Sequence, residues 1–434
     1  MQAEIFRPGD VKYSPRSNST ANRIETTDKR FHDWYRFVLS FPPHLVREYI
    51  EKFELEPGQT LLDPFCGTGT TLIVAKAHGL RAIGFEANPM AHFASAVKVD
   101  WEIDPNELSS IADQIIVKAG QDIDKEHDSK LLTLPPDAMK LLLSDSISPV
   151  PLHKSLVLLN AIHEFQDSRC YRHLLLGLAK SVVIYGSNLY FGPEVGVKTN
   201  KRVDSSIIGE WRKEIGFMSE DLNLGSVGVI SSEVLFADSR CTSKHLAINS
   251  IDAVFTSPPY PNEKDYTRTT RLESVLLQFI KTKEELRNLK SNLLRSNTRN
   301  VFKHDSDDLW VKDNQRIQTI ANDIERKRIE LGKTSGFERQ YARATKLYFG
   351  GMARHLADLR TVLKPGALLG YVVGDQASYL QVMINTGEIL GEIAESLGYK
   401  VKSIDLFRTR LATSTKRQMR EEVLVLQWLG NNTN

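Results

Sequence analysis

Between Thr60 and Glu86 the chain follows an order that few folds accommodate. Thr60-Leu61-Leu62-Asp63 is an apolar run of strand length. Pro64-Phe65-Cys66-Gly67-Thr68-Gly69-Thr70 is a tight turn, Leu72 to His78 a helical stretch stopped by Gly79, and Arg81 to Glu86 a second strand. Strand, turn, helix and strand in this order form a βαβ unit, and its crossover makes the two strands parallel. Parallel sheets are buried on both faces, so the rest of the chain must supply more strands and covering helices. The expectation is an α/β protein.

Further elements support this. Pro43 suits the first turn of a helix in which Leu45, Val46, Tyr49, Ile50 and Phe53 recur at helical spacing, and Pro89 to Val97 reads as another helix. Ser232 to Ala237, Ala253 to Thr256 and Leu368 to Val373 read as strands. Gly351 to Leu363 and Glu388 to Leu397 read as helices, with Lys364-Pro365-Gly366 as a turn. Val401 to Leu406 and Glu422 to Trp428 read as a closing antiparallel pair. Two largely helical stretches interrupt the pattern. The first holds helical segments over Glu107 to Glu126, Pro135 to Ser144, His153 to Phe165, Tyr171 to Ala179 and Ser205 to Asp221; the second runs from about Thr270 to Lys346. The division that follows is an irregular arm at 1–30, α/β segments at 31–100, 231–270 and 347–434, and helical insertions at 101–230 and 271–346.

Thr256-Ser257-Pro258-Pro259-Tyr260 follows the apolar run Ile251 to Phe255. Two successive prolines lack backbone N–H groups and cannot continue a strand, so a rigid polar loop must stand at its carboxyl end. In open α/β sheets that edge binds ligands. A serine hydroxyl and the Pro258 carbonyl can accept both hydrogens of an exocyclic amine, with the Tyr260 ring stacked on its base. Such an arrangement favours a more tetrahedral nitrogen whose lone pair points at an electrophile. Across the sheet, Glu86 ends the second strand seventeen residues after Gly69, where an acidic side chain can accept hydrogen bonds from both hydroxyls of a ribose. The turn lacks Gly-Lys-Ser/Thr, so it is not a phosphate-cradling P-loop.

The string Asp63-Pro64-Phe65-Cys66-Gly67-Thr68-Gly69-Thr70-Thr71, together with Thr256-Ser257-Pro258-Pro259-Tyr260, resembles the DNA amino-methyltransferases. Phe41-Pro42-Pro43-His44-Leu45-Val46 resembles the element of that family that precedes the glycine loop and helps close over the cofactor. The resemblance covers 31–100, 231–270 and 347–430. It implies a class I methyltransferase fold: a Rossmann-like, seven-stranded, mostly parallel sheet with helices on both faces. It implies S-adenosylmethionine as cofactor, held by Asp63, Phe65, Cys66, Gly67, Gly69, Thr70, Glu86, Asn88 and Asp238, the last on the adenine amine. Ser257, Pro258, Pro259 and Tyr260 become the catalytic group, Asn262 to Arg268 border the base pocket, and no metal is implied. The Ser-Pro-Pro-Tyr spelling looks more like the cytosine-N4 branch than the adenine-N6 branch. The glycine loop precedes it here, whereas many cytosine-N4 enzymes are permuted the other way. A base inside a duplex must be flipped out to be reached.

Charge distribution points the same way. Lys264 to Lys346 carries 19 Lys and Arg against 12 Asp and Glu, a net of +7 in a chain whose net is +2. Concentrated positive charge is what a polyanion-binding element needs. With Asn297-Thr298-Arg299-Asn300, Trp310 and Lys312, the second insertion is the leading candidate for target recognition in double-stranded DNA, since Arg and Asn can read G and A edges. Cytosine-C5 chemistry is argued against, because it needs a thiolate in a Pro-Cys turn and none of Cys66, Cys170 and Cys241 follows proline. The three cysteines form no C-x-x-C pair, no apolar run of about 18 residues is present, and Met1 to Asp10 does not resemble a secretory signal. These features lead to an expected cytoplasmic, non-membrane enzyme, with a cognate restriction endonuclease or defence system as a possible companion. An RNA amino-methyltransferase and a catalytically silent nucleic-acid-binding relative are the other readings.

Overall fold

The computed structural model describes residues 21, 24–36, 40–125, 131–192, 194–224, 230–262, 264–411 and 418–430. Most of the N-terminal arm, Glu126 at the end of one expected helix, and Glu263 lie outside these residues.

Nine strands are present among the described residues: β1 (Thr60–Asp63), β2 (Arg81–Phe85), β3 (Leu189–Phe191), β4 (Val195–Val197), β5 (Ser232–Leu235), β6 (Ile251–Thr256), β7 (Leu363–Gly374), β8 (Tyr399–Leu411) and β9 (Gln418–Trp428). Seven form one sheet in the order β5-β2-β1-β6-β7-β9-β8. The five strands from β5 to β7 are mutually parallel, and β9 runs antiparallel to both β7 and β8. From β1 the chain moves outward through β2 to β5, then returns to place β6 on the other side of β1. The direction of winding therefore reverses between β1 and β6. Their carboxyl ends flank the topological switch point, where open α/β sheets take their ligands. This is the class I methyltransferase strand order, so the expected Rossmann-like fold is present.

Alternating side chains bury both faces. Leu61, Ala82, Phe255 and Val372 point to one face. It is covered by the helices Pro43–Lys52, Thr70–Ala77 and Pro89–Lys98, and continues into the first insertion through Leu108, Ile115, Leu158, Leu176 and Trp211. Leu62, Phe85, Val254, Tyr371 and Val373 point to the other, under the helices Tyr341–Leu359 and Thr386–Ser396. No helix among the described residues is long and apolar enough to cross a membrane.

Two expectations need correction. Lys364-Pro365-Gly366 is not a turn before the strand but a bulge inside it. Ile251 pairs with Leu363 and Ala253 with Leu368, and Gly366 takes φ +91° where the surplus residues loop out. The Tyr341–Leu359 helix begins ten residues before the expected Gly351, so the second insertion re-enters the sheet domain through a continuous helix. Sequence reasoning also missed the β3–β4 hairpin, whose three-residue strands are too short to show a period.

Candidate active site

The loop after β1 turns on two glycines in the left-handed region, Gly67 at φ +52° and Gly69 at φ +84°. A side chain at Gly69 would come within 3.1 Å of Ser95 Cβ, so the loop lies hard against the Pro89–Lys98 helix; a side chain at Gly67 would meet nothing within 4 Å. The outer face of the loop at Gly67 is thus open backbone that a ligand can approach closely.

Glu86, at the end of β2, organises this loop. One carboxylate oxygen accepts the Gly67 amide at 2.9 Å and the other the Asn88 amide at 2.7 Å. A carboxylate has about four acceptor sites, so acceptor capacity remains for a ligand. Burial pushes the Glu86 carboxyl up to about 7, although the Asn88, Gly67 and Ala87 amides pull the other way. The residue nevertheless keeps part of its surface open to solvent. An acidic pair of acceptors beside open glycine backbone fits the ribose of S-adenosylmethionine.

Other residues assigned to the cofactor have partners within the protein. Asp63 is fully buried; one oxygen accepts Thr256 Oγ1 at 2.5 Å and the Phe65 amide at 3.1 Å. It ties the glycine loop to the end of β6, while its second oxygen has no hydrogen-bond partner among the described residues. Burial pushes its carboxyl up to about 6 against these donors and the Thr71 hydroxyl. The Cys66 thiol also faces inward. It lies 3.8 Å from Ser95 Oγ, over Gly84, where an added Cβ would approach its sulfur to 2.8 Å. The Asn88 side chain caps the Pro89–Lys98 helix through Met90 and Ala91 and donates to Thr270 Oγ1 at 3.2 Å. Thr70 is buried at the first position of its helix, and Phe65 packs edge-on against His355 at 5.0 Å.

Asp238, beyond the end of β5, accepts Arg240 N, Nε and Nη2 at 2.7–3.0 Å. Arg240 is itself buried; its Nη1 reaches Asp307 at 2.5 Å and its Nη2 the Asn292 carbonyl at 3.1 Å, both in the second insertion. Asp307 also accepts Arg354 at 3.2 Å. Asp238 is therefore already partnered, and any adenine amine it binds must share it with Arg240.

The Ser-Pro-Pro-Tyr loop stands across the switch point. Ser257 Oγ donates to the Val372 carbonyl of β7 at 3.1 Å. That uses its only proton, so toward any further partner the hydroxyl is an acceptor. Pro258 is buried, while Ser257, Pro259 and Tyr260 keep part of their surface exposed. The Tyr260 ring lies against Gly374, where an added Cβ would come within 3.2 Å of it. Burial and Glu421 push its hydroxyl well above the usual tyrosine range, so it stays protonated. The loop is continued by Asn262, whose amide donates to the Ser296 carbonyl at 2.9 Å, and by Lys264, whose carbonyl accepts Asn297 Nδ2 at 2.9 Å. The second insertion thus touches the Ser-Pro-Pro-Tyr loop at one end and Asp238–Arg240 at the other.

Sequence reasoning missed Lys98. Its buried ammonium donates to the Thr68 carbonyl of the glycine loop at 2.7 Å and to the Tyr35 carbonyl at 3.0 Å, and burial lowers it to about 7. The signal was present: Ala91, Ala94 and Ser95 form a buried helical face that Lys98 continues at i+7.

Comparison with known proteins agrees with this geometry. Residues 5–96 match the family model described as DNA methylase. Type II methyltransferase M.BsoBI of Geobacillus stearothermophilus is 25% identical over 96% of this chain and 86% of its own length. Type II methyltransferase M.AvaI of Anabaena variabilis is 24% identical over 88% and 82%, and Type II methyltransferase M.MvaI of Kocuria varians 24% over 61% of each. Among solved structures, that of TrmN from Thermus thermophilus aligns at 10% identity over 93% of this chain and 53% of that one, with a TM-score of 0.33. That overlap is too low to bear on the fold, which rests on the strand order. The match over residues 5–96 and these relatives, set beside two motif loops that meet at the switch point of this sheet, mark the chain as similar to the DNA amino-methyltransferases, whose methyl donor is S-adenosylmethionine.

Proposed function

We propose that the protein methylates the exocyclic N4 amine of a cytosine flipped out of duplex DNA, at a specific site, as the modification enzyme of a type II restriction system. The Ser257 hydroxyl carries this reading. Donating to Val372, it offers only lone pairs beside the Pro258 carbonyl, and two acceptors match the two hydrogens of an aromatic amine.

Residues on the two sides of the switch point then have separate tasks. Gly67, Gly69 and Glu86 hold the cofactor's ribose side, Asp238 its adenine side, and Phe65 and Thr70 shape the loop between. S-adenosylmethionine supplies an electrophilic methyl group on a sulfonium centre. Ser257 and Pro258 accept the amine's hydrogens, which draws its lone pair out of ring conjugation and stabilises positive charge as it develops on nitrogen. Tyr260, neutral at any working pH, stacks on the base. Asp63 and Thr256 keep the two loops in register, which is the positioning contribution to rate.

The spelling Ser-Pro-Pro-Tyr favours cytosine, and adenine-N6 transfer is the sister reading within the same family. The test is methylation of duplex DNA with labelled cofactor followed by nucleoside analysis. N4-methylcytosine is the expected product. N6-methyladenine alone would move the assignment to the sister activity, and no labelled nucleoside would end both.

A further inference from the structure

We propose that Arg268 and Arg299 grip a backbone phosphate of the DNA strand that carries the target base, and that Glu194 holds the place of this phosphate in the DNA-free protein. The proposal rests on the DNA reading above and deepens it.

Three separate parts of the chain meet here. Glu194 belongs to the turn of the β3–β4 hairpin in the first insertion. Arg268 lies on the short helix Tyr266–Thr269, eight residues beyond Tyr260. Arg299 lies on the Thr298–Asn300 turn of the second insertion. The same segments carry the Asn262–Ser296 and Lys264–Asn297 contacts, so the cluster sits at the rim of the catalytic loop.

Its geometry is that of an incomplete anion site. Arg268 Nη1 is 3.6 Å and Arg299 Nη2 3.5 Å from one and the same oxygen, Glu194 Oε2. Well-formed bonds between guanidinium and carboxylate close to about 2.7–2.9 Å, so neither arginine has closed on it. Two cations share one anion, which leaves a surplus positive charge. Arg268 Nε is buried and has no hydrogen-bond partner among the described residues. Arg299 is further steadied over the Phe337 ring at 5.8 Å. A phosphodiester has two non-bridging oxygens, one for each guanidinium, and the planar fork of arginine suits such an anion.

Glu194 is well placed to yield. Its side chain is 48% exposed, where ion pairs are worth little, and it stands on a two-stranded hairpin separate from the main sheet. Base flipping rotates the backbone around the target nucleotide. A clamp beside the loop that receives the base is placed to hold that backbone.

The experiment measures binding of labelled plasmid-derived duplex fragments by fluorescence anisotropy across a salt series, for the full-length protein and for R268Q, R299Q, R299K and E194Q. S-adenosylmethionine affinity by calorimetry serves as the fold control, and DNA methylation by the wild type runs in parallel. Loss of one phosphate contact lowers the slope of log affinity against log salt by about 0.9, which is roughly eightfold in affinity at 0.1 M salt. R268Q and R299Q are expected to show this, R299K to keep the wild-type slope, and E194Q to bind up to about fivefold more tightly. Wild-type slope and affinity in both glutamine variants, or weaker binding by E194Q, would overturn the clamp while DNA methylation by the wild type stands. A wild type that neither binds nor methylates DNA would remove the function reading and the clamp with it.

Discussion

Replacing Glu86 with glutamine tests the cofactor side of the site at one atom pair. In the free protein each oxygen of Glu86 accepts one loop amide, from Gly67 at 2.9 Å and Asn88 at 2.7 Å. Acceptor capacity remains on the carboxylate, and the proposed ribose has two hydroxyls to donate. A hydrogen bond to a charged acceptor contributes about 1.5–3 kcal/mol and a neutral one about 0.5–1.5. Two bonds changed from charged to neutral therefore lose roughly 2–3 kcal/mol, about 30- to 150-fold in affinity. A glutamine also turns an NH₂ group toward one of these two backbone donors, so the side chain cannot keep both Gly67 and Asn88.

The same residue sets a pH dependence. Burial holds Glu86 near 7 in the free protein, against an ordinary value of 4.5. The ribose is bound by the ionised form, so its population rises from about a tenth at pH 6 to about nine-tenths at pH 8. Cofactor affinity should climb about tenfold over that range, with one proton released per cofactor bound near pH 6. The effect on the free protein has the opposite sign. A carboxyl whose folded pKa is raised contributes stability that is complete below the unfolded value and is lost as pH passes through 7. Calorimetric titration of S-adenosylmethionine into wild type and E86Q at pH 6, 7 and 8, in buffers of different ionisation heat, reads all of this. The reasoning fails if E86Q binds within about threefold of wild type, or if wild-type affinity is flat from pH 6 to 8.

Two other substitutions separate chemistry from architecture. Ser257→Ala removes an acceptor used as charge develops, so turnover should drop about 10²- to 10³-fold with cofactor affinity unchanged; single-turnover methylation and calorimetry check this, and equal turnover would remove Ser257 from its role. Gly350→Ala places a methyl group 1.9 Å from the Asp307 carbonyl oxygen, a backbone atom that cannot swing away; a loss of about 3 kcal/mol or more should appear as a lower urea midpoint, and an unchanged midpoint would refute that packing.

The parts of this protein that were legible in its sequence are those where chemistry is local. Asp63 to Thr70 announced a turn because glycine alone enters the left-handed region easily, and Ser257 to Tyr260 announced a strand end because prolines cannot donate to a sheet. Leu61 and Leu62, or Val372 and Val373, are apolar on both faces, so buried parallel strands could be placed closely. Long-range pairing was not legible. Nothing near Asp238 shows that Arg240 occupies it, because the partner that fixes Arg240, Asp307, lies 67 residues away. Cys66 and Asp63 stand among ligand-facing neighbours in the sequence, yet Gly84 and Thr256 draw them inward. Lys98 required weighing a charged residue on an apolar helical face as a deliberate feature.

The joint at Asp307 has a consequence for exchanging the second insertion between relatives. Arg240 and Arg354 belong to the sheet domain, Asp307 to the second insertion, and Gly350 owes its missing side chain to the Asp307 backbone. A graft confined to the helix Gln315–Glu330 that keeps its buried Ile317, Ala321 and Ile324 leaves this joint native. One that replaces 292–311 with foreign sequence takes the Asp307 carboxylate from Arg240 and Arg354 and leaves Arg240 with Asp238 alone. The exchangeable part of the second insertion is therefore smaller than the insertion, and the splice points are set by buried charge rather than by the ends of helices.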